Sequence, residues 1–348
     1  MIEMLRFGIA VKDHFTEVIM KKNILIIFAA IFMAAYLSAC GTGAEAAADN
    51  SGKLSIVTTI FPEYDWVMNI LGDNPAGAEV TMLLDNGVDL HSYQPTAEDI
   101  MKISTCDLFI YVGGESDGWV EDALKTAENK NITSINLLDV LGGKVKEEEI
   151  VEGMEGEEEE EDGEEEEEGP EYDEHVWLSL ENASVLVSAI SDAIQKTDPA
   201  NADIYNNNAE AYKDKLDALD NEYKAAVSDA SVNTLLFGDR FPFRYLTDDY
   251  NLNYYAAFVG CSAETEASFE TITFLAGKVD ELSLSCVMTI EGTDHKIAET
   301  IVKNTINKDQ KILTMDSMQS TTSKDVTNGT TYLSVMEDNL KVLKEALK

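Results

Sequence analysis

Short apolar runs alternate with amphipathic segments in the region that follows residue 53. Apolar runs predict four strands, at Leu54–Ile60, Glu79–Leu84, Leu108–Val112 and Ile132–Leu138. The amphipathic segments between them predict three helices, at Pro62–Leu71, Asp99–Thr105 and Trp119–Glu128. Strands that alternate with helices form crossover units, so this region is predicted to be an α/β layer with a largely parallel sheet.

The same alternation returns in the last third of the chain. Strands are predicted at Thr234–Phe237, Tyr254–Phe258, Cys286–Ile290 and Lys311–Met315. Helices are predicted near Ser268–Glu281 and His295–Asn304, with a final amphipathic helix at about Tyr332–Leu347. The chain after residue 53 is therefore expected to contain two α/β lobes with mainly parallel sheets, an N-terminal lobe at 54–198 and a C-terminal lobe at 230–348.

A long amphipathic helix is predicted between the two lobes. After a shorter helix at Leu180–Gln195, Asp198 and Pro199 resemble a helix N-cap followed by proline at the first helical position. Apolar side chains then recur every three or four residues from Tyr205 to Val227, which is the spacing of one helical face. The helix at 199–229 would be roughly 45 Å long at 1.5 Å per residue, long enough to connect two small domains.

The N-terminal segment has the features of a secretory signal. Lys21 and Lys22 precede an apolar run from Ile24 to Tyr36, and Leu37-Ser38-Ala39-Cys40 resembles a bacterial lipobox. We expect a signal peptide at 1–39, of which 1–19 could result from a start codon assigned too far upstream. We also expect a lipid on Cys40 and a flexible tether at 40–53. A permanent anchor helix is the alternative, although the run is shorter than the span of about 20 residues that a bilayer requires.

The net charge of the chain argues against some classes of function. The 348 residues contain 25 basic and 66 acidic side chains, a formal net charge of -41, which argues against nucleic acid because phosphates require a basic face. Acidic residues concentrate at 147–174, where 19 of them occur without one basic residue. This block is predicted to be a disordered, solvated loop. It could raise the local concentration of cations, or it could be a weakly constrained insertion.

Candidate chemistry centres on the histidines after Cys40, which are His91, His175 and His295. His91 follows a predicted strand, and His175 follows the acidic block. Neutral imidazole is a common ligand of transition metals, and neighbouring carboxylates would suit zinc or manganese. Isolated histidines are also common as hydrogen-bonded structural residues, so the residues alone leave both interpretations open.

Several motifs resemble those of the metal-binding lipoproteins of bacterial ABC importers, the zinc/manganese solute-binding proteins. The motifs are Val57–Trp66 (VTTIFPEYDW), His91–Thr96 (HSYQPT), Asp107–Gly113 (DLFIYVG), His175–Leu178 (HVWL) and Tyr332–Met336 (YLSVM). They occur in the family's order along nearly all of the chain after the signal. The resemblance implies two α/β lobes joined by one long helix, with a metal held in the cleft between them.

The resemblance also implies a ligand set. His91 and His175 match the two ligands of the N-terminal lobe, and Asp316 matches the aspartate of the C-terminal lobe. The family has histidine or glutamate where this chain has Arg240, which cannot bind a metal. The adjacent Asp239 is the favoured substitute, and a structural role beside Arg240 is the alternative for it.

Two further donors in the C-terminal lobe, Glu291 and His295, are possible alternative metal ligands. Asp239 and Asp316 both follow predicted strands, and open α/β sheets bind ligands at that edge. The cysteines other than Cys40 form no C-x-x-C pair, which argues against a thiolate zinc knot. A Cys261–Cys286 disulfide is chemically allowed outside the cell, and the sequence does not decide it.

These observations predict an extracytoplasmic lipoprotein, attached by the lipid on Cys40 to the outer face of the membrane. It would act as a monomer, capture zinc, and deliver it to an ABC permease; manganese is the alternative metal. Sequence motifs of hydrolases and of phosphate-binding loops are absent, so the protein is predicted not to be an enzyme. The rival hypotheses are a zinc-dependent extracellular hydrolase and a surface adhesin on the same fold.

Overall fold

The computed structural model of the chain describes residues 53–156, 171–262, 266–292 and 294–348. The predicted signal peptide, the Cys40 lipidation site and the tether up to residue 52 lie outside the described residues, as does 157–170 within the acidic block. Residues from Gly52 onward form one compact unit.

The first α/β layer contains four parallel strands and their crossover helices. In chain order these elements are β1 (Ser55–Thr58), α1 (Phe61–Leu71), β2 (Glu79–Met82), α2 (Ala97–Thr105), β3 (Leu108–Tyr111), α3 (Val120–Thr126), β4 (Thr133–Asn136) and α4 (Leu137–Leu141). The sheet order is β2-β1-β3-β4, and all neighbours are parallel. A strand is therefore found within each of the four predicted apolar runs.

Two helices connect this layer to a second four-stranded sheet. The remaining elements are α5 (Leu180–Thr197), α6 (Ala202–Ser228), β5 (Thr234–Phe241), α7 (Arg244–Asp249), β6 (Asn253–Val259), α8 (Phe269–Leu282), β7 (Cys286–Ile290), α9 (Lys296–Asn304), β8 (Lys311–Met315), α10 (Ser323–Thr327) and α11 (Tyr332–Ala346). The order β6-β5-β7-β8 is again fully parallel. The predicted α/β class with two parallel sheets is confirmed.

The long helix α6 joins the two halves through its apolar face. Tyr205, Leu216 and Tyr223 on this face are fully buried, and each buried large apolar side chain contributes roughly 1.5–3 kcal/mol. The face also carries polar links, because the hydroxyl of Tyr212 donates to Asp65 at 3.1 Å and that of Tyr223 to the carbonyl oxygen of Met336 at 2.6 Å. One helix therefore packs against both α1 and α11.

The strand predicted at Ile132–Leu138 ends earlier than expected. Strand β4 stops at Asn136, whose side chain accepts a hydrogen bond from the backbone of Asp139 at 3.1 Å and caps helix α4. Leu137, Leu138 and Leu141 are buried on this short helix. The apolar run continues across the cap, so hydrophobicity alone could not locate the change from strand to helix.

The prediction of a disordered loop over the whole of 147–174 is wrong at both ends. Glu155 donates its backbone N–H to the carbonyl oxygen of Ala257 at 2.9 Å, and Met154 is buried. At the other end, Asp173 and Glu174 are each only 2% exposed. These acidic residues are ordered because they form hydrogen bonds with other parts of the protein. The number of charged residues in a segment does not predict such contacts.

All three cysteines within the described residues, Cys106, Cys261 and Cys286, are free thiols. The Cys261–Cys286 disulfide that the sequence allowed is therefore absent. Cys286 lies inside β7, whereas Cys261 follows the end of β6. In the part of the chain that the structure describes, no helix combines the length and apolarity needed to span a membrane.

Candidate metal centre

His91 lies in a single helical turn, Leu90–Ser92, in the segment after β2. The turn is fixed by Asp89, whose Oδ1 accepts the backbone N–H of His91 at 3.0 Å. On the side chain, Nδ1 lies 2.8 Å from Oγ of Ser116 and 3.5 Å from Oε2 of Glu174. Asp89 and these two groups hold the ring with its other nitrogen, Nε2, directed away from them.

His175 is fully buried and is fixed by a neighbouring carboxylate. Oδ1 of Asp173 accepts hydrogen bonds from the backbone N–H of His175 at 2.9 Å and from its Nδ1 at 3.0 Å. Asp173 is itself held by the second half of the chain, because the hydroxyl of Tyr245 donates to its carbonyl oxygen at 2.8 Å. The His175 ring is therefore fixed by Asp173, which is in turn held by Tyr245.

The two imidazoles face one another through Nε2, at a separation of 3.2 Å. Two nitrogens bound tetrahedrally to one zinc at 2.0–2.1 Å would lie roughly 3.3 Å apart. Glu174 beside Nδ1 of His91, and Asp173 beside Nδ1 of His175, favour the tautomers that carry hydrogen on Nδ1. Both Nε2 lone pairs then point at the same space, which is the arrangement that carboxylate–histidine–metal triads use.

The charges around the pair agree with a cation between the rings. Burial, followed by the adjacent His175, lowers the pKa of His91 to about 3. Burial also disfavours a charged His175, but the charge and hydrogen bond of Asp173 outweigh it and leave the pKa of His175 raised. A second proton on the pair is therefore disfavoured, and a divalent ion would replace the first.

The third possible ligand is Cys261, which the sequence analysis did not select. One nitrogen of each imidazole and the Sγ of Cys261 lie within 4.8 Å of one another. Within the described residues this is the one group of three or more His, Cys, Asp or Glu side chains so arranged. It borders a cleft of about 310 Å³, lined by His91, Glu115, Ser116, Glu148, Glu171, Tyr172, Glu174 and Cys261.

A signal for Cys261 was present in the sequence. It stands two residues after the C-terminal end of β6, at the sheet edge where α/β proteins bind ligands, and the same rule had selected Asp239 and Asp316. Burial, then the charges of Asp173 and Glu148, raise the pKa of its thiol well above the usual value. A metal would therefore have to displace the thiol proton on binding.

Asp239, the favoured substitute ligand, does not join this group. Strand β5 has one extra residue between Phe237, which pairs with Ala256, and Arg240, which pairs with Phe258. In this bulge the carboxylate of Asp239 accepts the backbone N–H of Arg240 at 3.0 Å and that of Ile290 at 3.3 Å. The side chain is 8% exposed, and both of its oxygens are engaged within the sheet, in keeping with the structural role left open for it.

Asp316 and Glu291 also lie outside the group. Oδ1 of Asp316 accepts the backbone N–H of Met318 at 2.7 Å, and burial followed by the charge of Glu291 raises the pKa of Asp316 to about 7. The two oxygens of Glu291 accept hydrogen bonds from the backbone and hydroxyl of Ser317, at 2.7 and 2.8 Å. His295 occupies the N-cap of α9 in a left-handed conformation, and it too is not part of the group.

Arg240 bridges two segments that border the site. Its guanidinium donates to Oδ2 of Asp89 at 2.7 Å and to the carbonyl oxygen of Ser262 at 3.3 Å. Asp89 precedes His91 by two residues, and Ser262 follows Cys261 directly. Arg240, which the resemblance aligns with a ligand position, therefore ties the His91 turn to the Cys261 turn.

A family model described as the periplasmic zinc-uptake complex component A, ZnuA, matches residues 56–346. The chain belongs to this family, and the resemblance found in the sequence motifs is confirmed.

Individual proteins with similar sequences or structures support the same family assignment. The chain is 30% identical over 325 residues to the high-affinity zinc uptake system protein ZnuA of Bacillus subtilis, covering 93% of this chain and 97% of that protein. It is 33% identical over 332 residues to the zinc-binding lipoprotein AdcA of Streptococcus pneumoniae, covering 94% of this chain but 61% of that longer protein. The Zn(II)-bound ZnuA-like domain of pneumococcal AdcA shares the fold, with a TM-score of 0.66 and 29% identity over 85% of this chain and 99% of the domain.

Proposed function

We propose that this protein captures zinc outside the cytoplasmic membrane and delivers it to an ABC permease. The observation that carries the proposal is the pair of imidazoles that face one another at 3.2 Å with their opposite nitrogens held by Asp173 and by Ser116 and Glu174. A preoriented pair of imidazoles, with His175 fully buried and the side chain of His91 10% exposed, suits zinc better than manganese, which prefers oxygen ligands. Zinc is the cargo in this proposal, and the protein performs no chemical step on it.

Membership in the zinc-uptake family and the names of the relatives support this function. The proposal extends to a lipid on Cys40 that keeps the protein at the outer face of the membrane, and to a monomer as the binding unit. Each buried methylene of such a lipid contributes about 0.8 kcal/mol to membrane attachment. Replacing Cys40 by Ala should abolish lipid labelling and release the protein from the membrane fraction.

Metal analysis of the purified full chain tests the binding step. We expect protein prepared without chelator to contain zinc, and metal-free protein to bind zinc in preference to manganese in a competitive titration. The variant in which His91 and His175 are both replaced by Ala should bind neither metal measurably. A wild-type chain that binds no zinc would overturn the proposal and would favour an adhesin that keeps the fold without the metal.

A further inference from the structure

We infer that Cys261 is a zinc ligand, and that its thiolate takes the place of the ligand lost where Arg240 stands. The inference rests on the proposed zinc binding by His91 and His175. It begins from the cluster itself, in which the Cys261 Sγ and one nitrogen of each ring lie within 4.8 Å of one another. Ligands at 2.0–2.1 Å for nitrogen and 2.3 Å for sulfur would bring Sγ about 3.6 Å from each nitrogen in a tetrahedral zinc site.

Gly260 is what lets the Cys261 turn come so close to the imidazole pair. A Cβ at residue 260 would lie 3.0 Å from Cε1 of His175 and 2.9 Å from the carbonyl oxygen of Phe241. Contacts this short are rarely tolerated, so a larger residue would push the turn away from His175. The glycine allows the backbone to lie directly against the ring, and the next residue then reaches the site.

Two contacts hold the Cys261 turn in this position. The backbone N–H of Cys261 donates to Oε1 of Glu148 at 3.2 Å, and the carbonyl oxygen of Ser262 accepts from Arg240 at 3.3 Å. The same guanidinium binds Asp89 beside His91 at 2.7 Å. Arg240 is therefore a positioning residue, which keeps a cysteine-bearing turn and a histidine-bearing turn together across the cleft.

The chemistry of the set suits zinc. Two imidazole nitrogens and one thiolate give a mixed nitrogen and sulfur set, which is typical of zinc and unfavourable for manganese. A coordinating thiol is deprotonated by the metal, so Cys261 would lose its proton as zinc binds and contribute one negative charge. Three protein ligands leave a four-coordinate zinc one further position.

Cobalt(II) provides a direct test, because a cobalt–thiolate bond produces a sulfur-to-metal charge-transfer absorption in the near ultraviolet. We expect the full chain, reduced and metal-free, to show this absorption on titration with cobalt. Cys261→Ser should abolish it, whereas Cys106→Ala and Cys286→Ala should retain it. The zinc affinity of Cys261→Ser should fall by more than the roughly 10- to 100-fold that follows loss of an outer-shell partner.

The outcomes separate this inference from the function on which it rests. Two outcomes would overturn the assignment of Cys261 as a ligand and leave the proposed zinc binding intact. In the first, cobalt binding requires His91 and His175 but produces no charge-transfer absorption; in the second, the absorption persists in Cys261→Ser. Absence of any metal binding would overturn both. A second measurement does not depend on the variant folding: bound zinc should protect Cys261 of the wild-type chain from alkylation, and equal labelling with and without zinc would contradict the inference.

Discussion

The N-terminal and C-terminal halves of the molecule both carry candidate metal ligands, but the fold holds these side chains differently. His91 and His175 are each held through Nδ1, by Ser116 and Glu174 in one case and Asp173 in the other, so that Nε2 stays available. In the C-terminal half, Asp239 and Glu291 use both carboxylate oxygens to accept hydrogen bonds from the protein. The histidines are thus oriented for a ligand, whereas these carboxylates already hold the protein together.

The difference shows that residue type and strand end do not by themselves define a metal ligand. A metal needs an accessible lone pair, and a buried carboxylate that accepts backbone N–H groups must first give up those bonds. Leaving a buried donor unsatisfied costs about 1–3 kcal/mol, which the metal bond would have to repay. Orientation by hydrogen bonds therefore decides which of the candidate donors can bind.

The largest expected effect comes from removing one of the oriented imidazoles. Replacing His175 by Ala should weaken zinc binding by more than about 100-fold, because the site loses a ligand and not merely an outer-shell partner. Competitive zinc titration measures the change. His295→Ala is the matched control and should leave the affinity unchanged; an equal loss in both variants would show that the site lies elsewhere.

A smaller loss should follow from weakening the group that orients His175. Asp173→Asn keeps the shape of the side chain but removes the charge that favours hydrogen on Nδ1 of His175, so zinc affinity should fall roughly 10- to 100-fold. Asp122→Asn, at an exposed position of α3, serves as the control in the same titration. Full affinity in Asp173→Asn would mean that burial alone orients the imidazole.

The sequence predicted the scaffold better than it predicted the cleft. Strands β7 and β8 were predicted at their observed bounds, because apolar runs flanked by helices record local propensity and burial. The extra residue in β5 left no such signal, and it turns the carboxylate of Asp239 toward the backbone of Ile290. Spacing along the chain gave no signal for a group of Cys261 with His91 and His175, because the three residues come from distant segments.

A carboxylate away from the site should act on stability rather than on zinc. Glu63 is fully buried, and its Oε2 accepts hydrogen bonds from Thr59 and Ile60. Burial, followed by the charge of Asp117, raises its pKa from 4.5 to about 8. The folded state therefore keeps a proton that the unfolded chain releases, and stability should fall as pH rises from about 4.5 to about 8.

Glu63→Gln tests this behaviour. The variant should remove a slope of up to about 1.4 kcal/mol per pH unit from the unfolding free energy across that window, while zinc affinity stays at the wild-type value. Denaturant unfolding of metal-free protein at several pH values measures the slope. An unchanged pH profile in the variant would mean that Glu63 titrates alike in the folded and unfolded states.

The smallest effect on zinc should come from the two carboxylates that the sequence predicted as ligands. Asp316→Asn keeps an oxygen that can accept the backbone N–H of Met318, so we expect little change in zinc affinity. Asp239→Asn loses an acceptor for the N–H of Arg240 or Ile290 and should cost about 1–3 kcal/mol of stability, again with zinc affinity retained. Titration of both variants beside Asp173→Asn measures the contrast directly. If either loses more affinity than Asp173→Asn, that carboxylate binds zinc after all, and the two sides of the cleft contribute ligands as the family resemblance implies.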